Sequence, residues 1–383
     1  MKSKSSQISS FCPKRLKKAR EARGYTIKEL AEEVGVTHQS ISKYENFKAV
    51  PSSLVLRKIC SILKVHLTYM LKPTSEESEM VVFFRSRAAA TVKSKKIHRH
   101  RLDWLVDIYE YLDEIMNFPQ VNIPKVIENN SYIPTAFEEI DEIALDVRKY
   151  FGLGKGPISN ILLLLEKNGA VISRAKFNDY KIDACSKWSE NNNRPFIFLG
   201  SDNTSSVRSR FDIAHELGHL ILHPNISWKE FNKKENYKLM EKEADRFASS
   251  FLLPEETFGS EVYSSSLENL IELKKRWKVS IQAMAYRAMQ VGIFTESQFL
   301  YIRRLLSNKN MLKQEPLDSE MKYEEPSLLK QSIELILEHN VKAKNDLIDE
   351  IGLSREDIEL LANLLPGTLI ERNNYGNIVS FKR

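Results

Sequence analysis

The sequence predicts a mainly α protein with a small β-sheet, of the α+β class, built from more than one domain. Three observations carry this expectation. The chain has 383 residues, more than the ~100–200 of an ordinary single domain. Apolar residues recur at helical spacing over 13–71 and again over 208–302. Only three short stretches, 170–173, 181–185 and 196–199, have β character. With 42% hydrophobic and 28% charged residues, the composition excludes a disordered, collagen-like or disulfide-scaffold protein.

Cys12, Cys60 and Cys185 are few, odd in number and far apart, which fits a reducing compartment. The longest aliphatic run, 161–165, is far too short to cross a bilayer. The polar start MKSKSSQISSF lacks the apolar core of a secretory signal. A cytoplasmic protein with no membrane partner is therefore expected. The net charge of +6 is small, but its placement is uneven. Lys2, Lys4, Lys14, Arg15, Lys17, Lys18, Arg20 and Arg23 face only Glu21, and no acid lies between Arg85 and Arg101. Basic runs of this kind suit either a nucleic-acid partner or a solvated face.

Each element follows in order. Thr26 and Glu29 form a capping box that starts a helix at Ile27, and Gly35 ends it. Thr37 then caps a second helix at His38. Two helices joined by so short a turn make a helix-turn-helix, with Ala31, Val36, Ile41, Leu54 and Ile59 as its expected core. The second helix of such a unit enters the DNA major groove by its N-terminal end. Here that end offers Thr37, His38, Gln39, Ser40 and Lys43. Gln39 can pair bidentately with adenine, and the hydroxyls can reach bases or phosphates. Double-stranded DNA is the expected partner. Further on, 102–112 has helical spacing, Pro119, Pro124 and Pro134 mark a boundary, and 136–151 and 159–168 read as helices. The polar segment 309–325 reads as a loop and 327–365 as further helices. The domains are placed at 13–72 (helix-turn-helix), 73–133 (basic linker and helix), 134–260 (catalytic core) and 261–383 (helical C-terminal region). Gly152–Gly156 lacks the GK[ST] ending of a phosphate loop. In 267–292, Trp277, Ile281, Met284, Tyr286 and Met289 read as packing residues rather than as a second DNA-binding module.

The segment RSRFDIAHELGHLILH carries the chemistry. His215 and His219, four apart on a helix, project from one face and suit two corners of a tetrahedral Zn²⁺ site. Glu216, one residue on, is placed to take a proton from a zinc-bound water. The flanking Leu217, Leu220 and Ile221 predict a buried helix, where two His and a Glu are costly without a partner. A third ligand is sought in 237–251, where Met240, Ala244, Phe247, Ala248 and Phe251 share a face. Glu241 lies beside small alanines and is the favoured ligand, with Glu243 second. Asp245, one turn beyond, suits a carboxylate that orients a ligand His. His223 reads as a C-terminal helix residue favoured by the dipole, with ligation as the minority reading.

The segment KRLKKAREARGYTIKELAEEVGVTHQSISKYE, continuing to Leu71, resembles the Cro/C1-type (XRE) helix-turn-helix family, which implies an all-α lambda-repressor-like domain; Phe47 stands where that family often has Gly. The stretches DACS, RPFIFLG, RSRFDIAHELGHLILH and EKEADRFASSFLLP resemble the ImmA/IrrE metallopeptidase family. That resemblance implies a gluzincin-type zinc peptidase with His215, His219 and Glu241 as ligands and Glu216 as base. It also implies cleavage of a helix-turn-helix repressor or other protein substrate in response to stress, DNA damage or phage. The sequence assigns no oxyanion donor; Tyr180, Tyr237 and His223 are named without a choice among them. The rival reading is a non-proteolytic transcription regulator, a sensor or antitoxin-like protein whose peptidase-like domain binds a ligand or partner. A homodimer is left open.

Overall fold

A computed structural model describes residues 11–74, 81–86, 90–126, 132–177, 182–202 and 205–371. In chain order come α1 (Pro13–Ala22), α2 (Ile27–Val34), α3 (His38–Glu45), α4 (Ser53–Leu63) and α5 (Leu67–Leu71), then β1 (Phe83–Ser86), α6 (Val92–Asp113), α7 (Phe137–Tyr150) and α8 (Ile161–Lys167). Strands β2 (Val171–Ala175), β3 (Ile182–Ser189) and β4 (Arg194–Gly200) follow. The rest is helical: α9 (Ser206–Leu222), α10 (Trp228–Phe231), α11 (Lys234–Leu252), α12 (Glu255–Glu261), α13 (Leu267–Trp277), α14 (Ile281–Gln290), α15 (Glu296–Asn308), α16 (Leu328–Glu338), α17 (Lys344–Ile351) and α18 (Arg355–Leu361). This is the mainly α architecture with a small sheet that the sequence predicts.

The chain forms two compact units. One gathers Met1–Thr74, Asp107–Met116 and Leu329–Arg383; the other gathers Ser75–Val106 and Asn117–Leu328. The regions drawn from sequence as 73–133 and 261–383 are thus each shared between the two units.

In the first unit the capping box of α2 closes as expected. Glu29 N–H donates to Thr26 Oγ1 at 3.1 Å and Thr26 N–H to Glu29 Oε2 at 2.6 Å. Gly35 ends the helix at φ 79°, a conformation that suits a residue without Cβ. Ala31, Ile41 and Ile59 are buried with Leu16, Leu30 and Tyr69. Val36 is only half-buried, and Leu54, expected in the core, is 69% exposed. The buried stripe of α4 runs through Leu56, Ile59, Cys60 and Leu63, and a residue two before Leu56 points to the opposite side of the helix. Phe47 adopts φ 59°, the left-handed conformation that explains why a glycine suits that position. The C-terminal helices complete this unit. Val65 bridges to Leu353, His66 N–H donates to Gly352 O at 2.8 Å, and Arg23 is paired with Asp357. Gly352 sits at φ 87°, and a Cβ there would meet the backbone of Tyr69 at 2.8 Å.

The second unit is built on a four-stranded sheet of order β1-β3-β4-β2. β2 runs parallel to β4, while β3 is antiparallel to both β4 and β1. Strand β1 lies in the region read from sequence as a basic linker; four residues within a basic run give too short an alternation to reveal a strand. The polar 309–325 segment also does more than connect. Buried Glu315 accepts from the amides of Ile281 and Gln282 and pairs with Lys274. Glu324 accepts from the amides of Ile161 and Leu162. Both carboxylates thereby cap the orphan N–H groups of helix N-termini. Trp277, Ile281 and Met284 are buried, as packing residues should be, whereas Tyr286 is exposed.

Helix α9 packs against both the sheet and α11. Its Gly218 permits the contact: a Cβ there would lie 3.2 Å from Ala244 Cα and 3.2 Å from Phe247 Cδ1 on α11. Gly218→Leu should therefore wedge the helices apart and destabilise the protein by about 1–3 kcal/mol or more. Urea unfolding of the full chain checks this, and an unchanged midpoint would show that the two helices tolerate separation.

Candidate metal centre

Because α9 is buried along nearly its whole length, its polar residues must find partners inside the protein. His215 and His219 are fully buried and point their Nε2 atoms at each other across 3.0 Å. Glu241 reaches in from α11, with Oε2 3.6 Å from His215 Nε2 and Oε1 3.3 Å from His219 Nε2. One donor atom from each of the three lies within 4.8 Å of the others. Glu216 faces the sheet side, where the Ser186 hydroxyl of β3 donates to its Oε2. Its Oε1 is buried and has no hydrogen-bond partner among the described residues.

The hydrogen bonds behind the two imidazoles determine what they present. Asp245 Oδ1 lies 2.8 Å from His215 Nδ1 and accepts a hydrogen bond from its N–H. On the other side, Tyr132 O–H and Thr135 N–H each donate to Glu243 Oε1 at 2.9 Å. Glu243 Oε2 then accepts from His223 Nε2 at 2.8 Å. His223 Nδ1 is left as an acceptor for His219 Nδ1–H at 3.1 Å. Both Nε2 atoms thus turn lone pairs toward one another and toward a carboxylate. Such a pocket is repulsive for the protein atoms alone and suits a divalent cation with two N and one O donors.

The charges agree. Burial and Arg85 lower the pKa of His215, but Asp245 and Glu241 outweigh them and raise it to about 9. Burial drives His219 down to about 3 and also lowers His223. Burial tends to raise Glu241, yet hydrogen bonds from His215 and His219 hold it well below the usual carboxylate range. Burial pushes Glu216 up to about 7, against the pull of His215 and Ser186. A carboxylate titrating near neutrality is suited to proton transfer at neutral pH.

The structure brings His215, His219 and Glu241 together and places Asp245 behind His215. Glu243 and His223, the alternative ligands, stand behind His219 instead. His223 is not the dipole-favoured cation expected from sequence, because it is buried and its pKa is lowered. Tyr180 lies outside the described residues. Tyr237 O–H donates to Phe84 O at 2.9 Å. Sequence reasoning missed Ser186, Tyr132 and Arg85, whose Nε lies 2.6 Å from Asp212 Oδ1 and whose Nη1 lies 3.0 Å from Asp245 Oδ1. Each comes from an element remote in sequence, and no local spacing marks them.

In the other unit, Thr37, His38, Gln39 and Lys43 are exposed along α3 and Ser40 is half-buried. Thr37 Oγ1 accepts from Ser40 N–H at 3.2 Å and its hydroxyl lies 2.9 Å from Ser40 Oγ, so these two side chains serve as the helix cap. The buried side of α3 is fixed by Glu45, paired with Arg20 at 2.6 Å.

Comparison with known proteins finds family models for two regions of the chain. Residues 165–289 match the family model described as the IrrE N-terminal-like domain, Peptidase_M78. Residues 16–70 match the helix-turn-helix model. The chain joins a helix-turn-helix domain to an IrrE-like peptidase-family domain. Among curated proteins, it is 38% identical over 66 residues to the SPbeta prophage-derived uncharacterized HTH-type transcriptional regulator YonR of Bacillus subtilis (strain 168). That match spans 17% of this chain and 61% of the relative. No helix among the described residues is long and apolar enough to cross a membrane.

In the IrrE-like domain, Asp245→Ala removes the acceptor that fixes the ring of His215 and should weaken the affinity of the cluster for a divalent metal about 10–100-fold, measured by competition with a chromophoric chelator. In the helix-turn-helix domain, Gln39→Ala should cost about 1–3 kcal/mol of sequence-specific binding while leaving non-specific binding and its salt dependence nearly unchanged. Equal losses on specific and random duplexes would remove Gln39 from base readout.

Proposed function

We propose that the protein is a DNA-tethered, zinc-dependent endopeptidase that regulates transcription in the cytoplasm, by cleaving a helix-turn-helix repressor or another protein in response to stress. His215, His219 and Glu241 are read as the zinc ligands, Glu216 as the proton acceptor, and Thr37, His38, Gln39, Ser40 and Lys43 as the DNA-contacting set. The observation that carries the peptidase reading is Glu216 Oε1, a buried carboxylate oxygen with no hydrogen-bond partner among the described residues, beside a three-donor cluster. A zinc ion held there supplies a Lewis acid and lowers the pKa of water toward neutrality.

The protein's own groups divide the remaining work. Ser186 fixes Glu216 by one oxygen and leaves the other to accept a proton from the attacking water and return it to the departing amine. Asp245 and the Tyr132–Glu243–His223 series hold the two imidazoles in the tautomers a metal requires. The helix-turn-helix domain supports DNA binding, and tethering to DNA raises the effective concentration of the peptidase near a co-bound protein.

The zinc-loaded chain should hold about one metal per protein, since each chain presents one closed donor set. His215→Ala and Glu241→Ala should lose most of it, and Glu216→Gln should keep it while losing cleavage. Metal content by mass spectrometry, together with repressor levels in cells before and after DNA damage, tests this. If induction and repressor levels match wild type in a metal-replete Glu216→Gln strain, the domain acts without proteolysis.

A further inference from the structure

Strand β1 crosses the metal centre in the manner of a bound peptide. It pairs antiparallel with β3, with Phe83 opposite Ser186, Phe84 opposite Cys185 and Arg85 opposite Ala184. Ser186 is the residue whose hydroxyl holds Glu216, so the pairing sets β1 directly alongside the proton-accepting group. β1 is the edge of the sheet and belongs to a segment outside the residues that match the IrrE-like family.

Alternate residues of the strand reach the walls of the centre. Val81 and Phe83 are buried with Ile226 and Met240. The Phe83 ring stacks on His219 at 4.3 Å and meets Phe231 edge-on at 5.4 Å. Two residues on, Arg85 forms ion pairs with Asp212 of α9 and Asp245 of α11. Between them, the Phe84 carbonyl accepts from Tyr237 O–H at 2.9 Å, one turn from Glu241. The cleft also extends past the strand. A cavity of about 490 Å³ is lined by Val81, Phe83 and His223, and another of about 550 Å³ by Arg85, Glu241 and Asp245.

We infer that the edge of β3 is a peptide-strand site whose resident occupant is β1, and that the same site takes, in trans, an extended segment of another protein bearing an apolar, an aromatic and a basic residue at alternate positions. The physical grounds are those of β-strand addition. Main-chain hydrogen bonds to an exposed edge supply affinity, and pockets for alternate side chains supply selectivity. The carboxylates Asp212 and Asp245 select the basic position, and the apolar cluster selects the other two. Tyr237 marks the register by holding one carbonyl of the strand. A trans segment must displace β1, which makes β1 a competitive occupant. The purpose of the site rests on the peptidase reading above; its occupancy by a strand does not.

The test uses the zinc-loaded full chain carrying Glu216→Gln, so that no probe is consumed, and a fluorescein-labelled peptide of the sequence VVFFRS read by anisotropy. Adding Phe83→Ser and Arg85→Ser should weaken β1 and let the peptide bind at least tenfold more tightly. A peptide with Ser in place of its Arg should lose that gain. In a second variant, Phe84→Cys stands opposite the native Cys185, a cross-strand pair whose spacing suits a disulfide. Its oxidised form should bind the peptide at least tenfold more weakly than the reduced form, and reductant should restore binding. The inference is overturned if the double variant keeps its zinc and its melting transition yet binds no more tightly than its parent. It is equally overturned if the oxidised form, with the disulfide verified by mass, binds as well as the reduced one. Should the double variant not fold, the disulfide variant decides. Binding as expected upholds the strand site whether or not the Glu216-intact chain hydrolyses the peptide, since β1 of the same sequence occupies the site uncleaved, and the repressor-level experiment above decides the peptidase reading separately.

Discussion

The close contact of α9 and α11 at Gly218 and Ala244 is the constraint on which the centre depends. The histidines lie on one helix and the carboxylate on the other, so their convergence is set by how near two backbones come. A side chain at Gly218 would move Glu241 away from His215 and His219, and the donor set would open. Around that contact the protein places Phe247, Phe251, Leu217 and Leu220, all buried, which exclude water and strengthen the electrostatic interactions at the centre.

The two histidines of the cluster are held in different ways. His215 leans on Asp245, a residue of the same helix as Glu241. His219 leans on a series that ends at Tyr132 and Thr135, before α7. The orientation of His219 therefore depends on residues some eighty positions earlier in the chain. Glu243, two residues on from Glu241 along α11, faces away from the cluster. This explains why two glutamates two residues apart take such different parts: one meets the cluster and the other supports it from behind.

Much of this was legible in the sequence because the signals are local. Thr26 with Glu29, Thr37 at a cap and His215 with His219 at one helical turn are each fixed by spacing within a single element. The choice of Glu241 over Glu243 rested on the small alanines beside it, and their size is what the contact with Gly218 uses. What was not legible is non-local. Ser186, Arg85 and Tyr132 reach the centre from a strand, a four-residue edge and a connecting segment. Leu54 has a residue type that suggests burial, while its phase on α4 turns it outward. The polar 309–325 segment hides the buried Glu315 and the half-buried Glu324 because an acid that caps a distant helix looks, in sequence, like any solvated acid.

The path of the chain between its two units has its own consequence. The polypeptide passes from one unit to the other at residues 74/75, 106/107, 116/117 and 328/329; α17 packs on α5, and Asp357 of α18 pairs with Arg23 at the end of α1. Sequence order and spatial grouping are interleaved. A single nick anywhere between residues 75 and 106 leaves the DNA-binding helices still bound to their C-terminal supports. The smallest piece able to keep that packing is therefore not an N-terminal fragment, because α5 and the residues just before it are bonded to residues 349–353, far along the chain.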